Sequence, residues 1–232
     1  MPPVSLIYRS ILGGPFPKIN FPVRQVLLVL LISHTVMMVH AQTGRQKELI
    51  ESGILKAKMG DLKAALRDLD EAVIWDTNEA EPYYNRGIVK SETGDYEGAI
   101  DDFTTVIRMK PAFAEPYYNR GLAKDYLNDH QGAILDYSRA INLKPDYPEA
   151  YHNLGLARFD LGNFSKAMEE FSRAIQYKPD FGEAYYNRGL CRFNLNDLEA
   201  ALTDFNAALA FDSTDYEYYE SKIGRASCRE RV

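Results

Sequence analysis

Three side chains with complementary chemistry recur at one spacing along the chain. An asparagine at Asn85 returns 34 residues later as Asn119, and again as Asn153 and Asn187. Each asparagine directly follows a ring and lies four residues after a glutamate. The amide can pair with a peptide unit of any sequence, the ring offers apolar and cation–π contact, and the glutamate can steer a cation. The rings are Tyr84, Tyr118, His152 and Tyr186, and the glutamates are Glu81, Glu115, Glu149 and Glu183.

Residue patterns for catalysis or metal binding are missing from the sequence. The four histidines, His34, His40, His130 and His152, occur in no His-Glu-x-x-His or Cys/His ligand spacing. No glycine-rich phosphate loop occurs either. Within the repeat region Cys191 is the single cysteine, so we expect a small buried hydrophobe and no intrachain disulfide. We therefore expect no catalytic residues, no metal site, no cofactor and no enzyme activity.

A helical repeat must position the recurring residues. The glycines Gly53, Gly87, Gly121, Gly155 and Gly189 lie 34 residues apart, and a fixed period of this length indicates a stack of identical units. We number each unit so that its glycine is position 8. The units are then 46–79, 80–113, 114–147, 148–181 and 182–215, and residues 216–221 begin a sixth.

Each unit contains two helices, which we call helix A and helix B. Position 15, between them, is always glycine or asparagine, the residue types that accept a left-handed helix cap. Position 16 is aspartate or asparagine, which are good N-caps for helix B. Helix A of the second unit is predicted over about residues 81–92. Small residues at positions 8, 20 and 27 predict close helix contact, with aromatic side chains at positions 4 and 24 filling the core.

A charge pattern links positions 7 and 23. Where position 7 is arginine (Arg86, Arg120, Arg188), position 23 is aspartate (Asp102, Asp136, Asp204). The unit with Leu154 at position 7 has Glu170 at position 23. A partly buried arginine needs an acidic partner, so we expect Arg–Asp pairs within or between adjacent repeats.

The tyrosine, glycine, alanine, phenylalanine and proline positions resemble the tetratricopeptide repeat over residues 46–221. The resemblance implies an all-α fold, a right-handed α-solenoid of antiparallel helix pairs with five full repeats and the start of a sixth. It also implies a concave binding face lined by helix A, chiefly by positions 2, 5, 6, 9, 12 and 13. The asparagine row is similar to the ladder by which some family members hold an extended peptide backbone. The alternative is that these asparagines pair with neighbouring helices.

The charge of the repeat region restricts the partner. The formal net charge is −6, but without residues 1–40 and 222–232 the chain keeps 20 basic and 32 acidic residues, about −12. Nucleic acid is therefore not expected as a partner. Glutamate at position 2 also disfavours the clamping of carboxylates known in one family subgroup. We expect a protein or peptide partner, basic or neutral in charge. Self-association through an uncapped end is a weaker option, and the oligomeric state stays unassigned.

The N-terminal residues 1–41 read as a leader. An apolar run over residues 26–39 covers 14 positions, fewer than the roughly 20 that a spanning helix needs. Val39 and Ala41 suit cleavage before Gln42, so residues 23–41 are predicted to be a signal peptide. Residues 1–22 carry five prolines and are interpreted as mis-annotated upstream sequence. We expect export to a bacterial periplasm or cell envelope; the alternative is membrane anchoring by an uncleaved segment at residues 26–41.

The C-terminal residues 222–232 abandon the repeat and resemble a translated sequencing adapter, so we exclude them from fold reasoning. Two functions stay open. The chain is either an exported protein-interaction scaffold that binds an extended peptide on the concave face, or the N-terminal interaction domain of a larger protein. That larger protein could be an assembly factor, a sensor or an enzyme.

Overall fold

The computed structural model describes residues 21–211, with side chains described for residues 27–35 and 44–211. The predicted start of a sixth repeat and the tail at 222–232 lie outside the described residues. The chain divides into two units, residues 1–48 and 49–232. In the first unit, the apolar side chains of residues 27–32 are all exposed. Among the residues that the structure describes, no helix combines the length and apolar content needed to cross a bilayer.

The described part of the chain contains ten α-helices and no strand. Each repeat of the second unit is one antiparallel helix pair, which confirms the predicted all-α solenoid of helix A and helix B. The helices are α1 (Phe21–Lys58), α2 (Leu62–Trp75), α3 (Ala80–Glu92), α4 (Tyr96–Met109), α5 (Ala114–Tyr126), α6 (His130–Leu143), α7 (Pro148–Asp160), α8 (Phe164–Tyr177), α9 (Gly182–Asn194) and α10 (Leu198–Phe211).

The turn between helix A and helix B has the predicted conformation in all five repeats. Position 15 adopts a positive φ between 62° and 84°, which only glycine and asparagine accept readily. At position 16, Asp61, Asp95, Asp129 and Asp197 each accept a hydrogen bond from the backbone N–H three residues later. Asn163 is the N-cap residue of α8, but its side chain makes no hydrogen bond to the first turn of the helix. The predicted capping contact is therefore wrong in the fourth repeat. An amide oxygen is a weaker acceptor than a carboxylate.

Position 8 is a point of close approach between the two helices of a repeat. A Cβ built on Gly121 would lie 2.7 Å from Cε1 of Tyr137, and one on Gly87 would lie 2.8 Å from Cε1 of Phe103. Both rings are fully buried. Any larger residue at position 8 would therefore collide with a ring that has no room to move. The predicted small-residue contact between helix A and helix B is confirmed.

The predicted Arg–Asp pairs hold helix A against helix B within the second, third and fifth repeats. Arg120 makes two hydrogen bonds to the Asp136 carboxylate, Nε to Oδ2 at 2.9 Å and Nη2 to Oδ1 at 2.6 Å. Lys124 adds a second cation, with Nζ 2.7 Å from Asp136 Oδ2. Such bidentate geometry is what makes arginine effective at a buried carboxylate. Equivalent pairs join Arg86 to Asp102 and Arg188 to Asp204.

The same arginines also reach the preceding repeat. The remaining Nη1 atom of each arginine donates to the side chain at position 25 of the preceding repeat. This side chain is an aspartate in the first repeat and a threonine or serine in the second and fourth repeats. The contacts are Arg86 to Asp70 at 2.8 Å, Arg120 to Thr104 at 3.0 Å, and Arg188 to Ser172 at 3.2 Å. Each arginine thus fixes both its own repeat and the junction before it. Leu154, which replaces arginine in the fourth repeat, is buried with Ala133 and Tyr137 instead.

Candidate functional site

The asparagines at position 6 join consecutive helices A. Asn119 Nδ2 donates to Tyr84 Oη at 3.1 Å, and Asn153 Nδ2 donates to Tyr118 Oη at 2.8 Å. Asn187 Nδ2 lies 2.9 Å from the ring nitrogen Nε2 of His152. We call this row of contacts the amide ladder. The alternative role of pairing with a neighbouring helix therefore accounts for one N–H of each of these amides.

Asn85 stands outside the amide ladder. Its Nδ2 donates to the backbone oxygen of Glu81 at 3.0 Å, within its own helix. The reason lies in the first repeat, where position 5 is Ile50, a side chain that has no acceptor to offer. The ladder therefore begins between the second and third repeats.

Three of the rings at position 5 are packed between two further rings of their own repeat, whereas Tyr186 contacts Phe205. Tyr118 lies 5.9 Å from Tyr137 and 4.9 Å from Tyr147, measured between ring centroids. The rings at position 34, at the entrance to the next helix A, were missed by sequence reasoning although they recur with the same period. The other contacts are Tyr84 with Phe103 and Phe113, and His152 with Phe171 and Phe181.

Burial differs along this row of rings and changes what each can offer. Tyr84 and Tyr118 are half-buried, whereas His152 is 6% exposed and Tyr186 is 4% exposed. His152 and Tyr186 therefore present almost no ring surface to a partner. Part of the Tyr84 ring and part of the Tyr118 ring remain accessible, so these are the two ladder rings that can contact a partner.

The environment fixes the protonation of the ladder. Burial raises the pKa of Tyr118 to about 12, helped by the charge of Glu149, and burial also raises the pKa of Tyr84. Both hydroxyls thus carry their proton at neutral pH. Burial lowers the pKa of His152 to about 4, so its imidazole is neutral and Nε2 can accept the amide N–H of Asn187.

The glutamates at position 2 lie at the surface beside the ladder. Glu81, Glu149 and Glu183 are exposed and Glu115 is half-exposed. Lysines in the loops after helix B approach the same edge, and sequence reasoning missed them because it considered helix A alone. Lys144 Nζ lies 3.8 Å from Glu115 Oε1 and 4.5 Å above the ring centroid of Tyr147. Lys178 Nζ lies 4.6 Å above the ring of Phe181.

One polar cluster in the third repeat was also missed. The buried hydroxyl of Tyr137 donates to Asp125 Oδ2 at 2.8 Å, and His130 Nδ1 lies 3.0 Å from Asp125 Oδ1. Burial raises the pKa of Asp125. The signal was present in the sequence, because Tyr137 is the only tyrosine at position 24. His130 thus takes part in a contact within the third repeat.

The described part of the chain contains no metal-binding cluster. No three His, Cys, Asp or Glu side chains there lie close enough to hold a metal ion. Cys191 is fully buried, and burial raises the pKa of its thiol to about 12. The predicted role of Cys191 as a small buried hydrophobe is thus confirmed.

Three family models match the chain. A model described as TPR repeat matches residues 126–162, and two models described as tetratricopeptide repeat match residues 152–216 and 80–113. No curated protein sequence matches.

Solved structures share the fold. A crystal structure of MamA is 30% identical and covers 72% of this chain and 97% of its own, with a TM-score of 0.67. MamA from Desulfovibrio magneticus RS-1 is 22% identical, covers 74% of this chain and 97% of its own, and has a TM-score of 0.69. YrrB, described as a TPR protein with an unusual peptide-binding site, is 23% identical, with coverages of 76% and 90% and a TM-score of 0.64. The chain therefore belongs to the tetratricopeptide-repeat family, whose fold typically serves as a non-catalytic scaffold for protein interactions.

Proposed function

We propose that the chain is an exported scaffold that binds an extended peptide segment of another protein along the helix A face. The supporting observation is that several hydrogen-bonding groups of the amide ladder have no partner within the chain's described residues. Tyr84 Oη and Tyr118 Oη each accept one amide N–H, and within the described residues neither hydroxyl donates to a protein acceptor. Asn119 likewise keeps its second N–H and its Oδ1. These groups complement the C=O and N–H of a peptide unit.

Accessibility supports the same reading. In the described part of the chain, no buried side-chain nitrogen or oxygen lacks a hydrogen-bond partner. Asn119 Oδ1, which has no partner, is therefore reachable from solvent, and Tyr84, Tyr118 and Asn119 are each only partly buried. A peptide backbone bound there would replace water at groups that are already oriented by the ladder, which lowers the ordering cost of binding.

The position 2 glutamates support a basic or neutral segment. Three of them are exposed beside the ladder, where they can attract a lysine or arginine of the partner. YrrB, which shares the fold, has a peptide-binding site by its own description. We place the main contacts at Tyr84, Tyr118, Asn119 and Asn153, because His152 and Tyr186 are buried. Asn187, at the end of the ladder, and Asn85, which lies at position 6 outside the ladder, complete the proposed contacts.

Export is part of the proposal. The apolar side chains of residues 27–32 are each more than 40% exposed, so packing against the described residues does not account for them. A signal peptide accounts for these exposed side chains, because it is recognised during export and then cleaved from the protein. N-terminal sequencing of the protein recovered from the periplasm should find Gln42 first. Recovery of the protein with residues 26–41 intact in the membrane fraction would instead support the anchor.

Peptide binding is tested with the full chain on an array of synthetic peptides, followed by titration of the hits. The paired changes Asn119→Ala and Asn153→Ala should weaken binding, because each lost hydrogen bond contributes about 0.5–1.5 kcal/mol. Asn142→Ala with Asn206→Ala, two exposed asparagines of helix B, is the matched control. A best ligand that is acidic, or one that ignores the ladder substitutions, rejects this face as the binding site.

A further inference from the structure

Lys144 stands where the proposed partner would place a basic side chain. Its Nζ lies 4.5 Å above the Tyr147 ring and 3.8 Å from Glu115 Oε1. Tyr147 in turn contacts Tyr118, whose hydroxyl accepts the Asn153 amide. An ammonium between an aromatic face and a carboxylate is the arrangement that a lysine of a bound segment would adopt. The chain itself fills this place next to the ladder.

Tyr147 lies beside the amide ladder, with its ring centroid 4.9 Å from that of Tyr118. Burial raises the pKa of Tyr147, and electrostatic interaction with Tyr118, Glu115, Tyr84 and Glu149 raises it further. Lys144 is the only cation of the described residues within ion-pair distance of Glu115.

Resting on the proposed function, we infer that Lys144 is an internal competitor, which occupies the Glu115–Tyr147 position until a basic side chain of the partner displaces it. Two ammonium groups cannot share one carboxylate and one ring face without repulsion. The partner must therefore move Lys144 before it can use this position. Lys144 thereby sets how strongly the face selects basic segments.

The contact is weak enough to be displaced. The Lys144 side chain is 43% exposed and that of Glu115 is 36% exposed, and their nearest atoms are at the long end of the ion-pair range. Pairs of this kind contribute little to stability because water screens them and the side chains lose freedom. Removing Lys144 should therefore leave the fold intact while it frees the position.

Lys178 provides an internal comparison. It lies 4.6 Å above the Phe181 ring, which contacts His152, a residue with almost no exposed surface. No carboxylate of the described residues is within ion-pair distance of Lys178 Nζ. If Lys178 is removed, a cation of the partner gains only a ring face, whereas removal of Lys144 also exposes a carboxylate. We therefore expect removal of Lys178 to increase binding less than removal of Lys144 does.

The test measures binding of three short synthetic peptides of equal length by the full chain. The peptides alternate threonine with lysine, with serine or with glutamate, so that they differ in charge while all favour an extended backbone. The variants are Lys144→Gln, Lys178→Gln and the control Lys166→Gln, which removes an exposed charge of α8.

We expect Lys144→Gln to tighten binding of the lysine peptide by about two- to five-fold, as suits the loss of one weak surface pair. Lys178→Gln should do less, and Lys166→Gln should change nothing. Unchanged affinity in Lys144→Gln overturns the competitor role alone, whereas tighter binding of the glutamate peptide by the unmodified chain overturns the proposed function on which that role rests. Absence of binding by all three peptides, with and without Lys144, overturns the proposed function itself.

Discussion

Asn153 donates its amide N–H to the hydroxyl of Tyr118 at 2.8 Å, across the junction between the third and fourth repeats. The two residues are 35 positions apart, one repeat plus one residue. The contact therefore recurs wherever position 5 offers an acceptor, as Tyr84 does to Asn119. In an array whose units touch only their neighbours, such junction contacts determine how cooperatively the repeats unfold.

Tyr118→Phe should destabilise the array through this junction. The substitution keeps the ring contacts with Tyr137 and Tyr147 but removes the acceptor of the Asn153 amide. We expect the free energy of unfolding to fall by about 0.5–1.5 kcal/mol, measured by urea denaturation. Tyr126→Phe, at a ring that is 67% exposed, is the control. Equal effects of both substitutions would mean that the ladder contact adds no stability.

Asp136 should be among the most sensitive positions in the third repeat. Its side chain is 5% exposed and lies between Arg120 and Lys124. Asp136→Asn leaves two half-buried cations without their carboxylate, and we expect a loss of about 3–5 kcal/mol.

A double-mutant cycle with Arg120→Gln measures the coupling directly. Because Arg120 makes two hydrogen bonds to Asp136, the two single losses should not add. Unfolding energies that sum within experimental error would show that the pair acts as two separate residues.

The features predicted well from sequence are those set by local chemistry. A left-handed residue at position 15 and an acid at position 16 produce the same turn wherever they occur, so Asn128 and Asp129 could be interpreted without knowing the fold. The Arg120–Asp136 pair was predicted for a related reason: wherever position 7 is arginine, position 23 is aspartate. The repeats of this one chain can be compared with each other in the same way as the sequences of homologous proteins.

The features missed depend on which repeats stack and how. The partner of Asn119 is Tyr84 of the preceding repeat, and nothing in either local sequence distinguishes that contact from a peptide ligand. Lys144 lies outside helix A, so its approach to Glu115 requires the loop to fold back over Tyr147. Burial of His152 likewise follows from the two rings that enclose it.

Gly121→Val should disrupt the close contact between helix A and helix B of the third repeat. The new Cβ alone would lie 2.7 Å from Cε1 of Tyr137, a fully buried ring. Overpacking of this kind costs about 1–3 kcal/mol, and it should broaden the melting curve as well as shift it. Ser165→Val, at an exposed helical position, controls for the β-branched side chain. A melting curve no different from that of the control would place the close contact elsewhere.

His152 should make the array sensitive to acid. Burial lowers its pKa from 6.5 in the unfolded chain to about 4 in the folded one, so the unfolded chain binds the proton more readily. The contribution of His152 to stability is therefore complete above pH 6.5 and is lost as the pH falls towards about 4. Protonation of Nε2 also removes the acceptor of the Asn187 amide. His152→Tyr restores the residue found at Tyr84 and Tyr118, so the variant should lose this part of the acid dependence. Urea midpoints of both proteins across this range give the answer, because all other titrations are shared. A constant difference between the two midpoints from neutral pH down to about 4 would show that His152 does not govern the acid response.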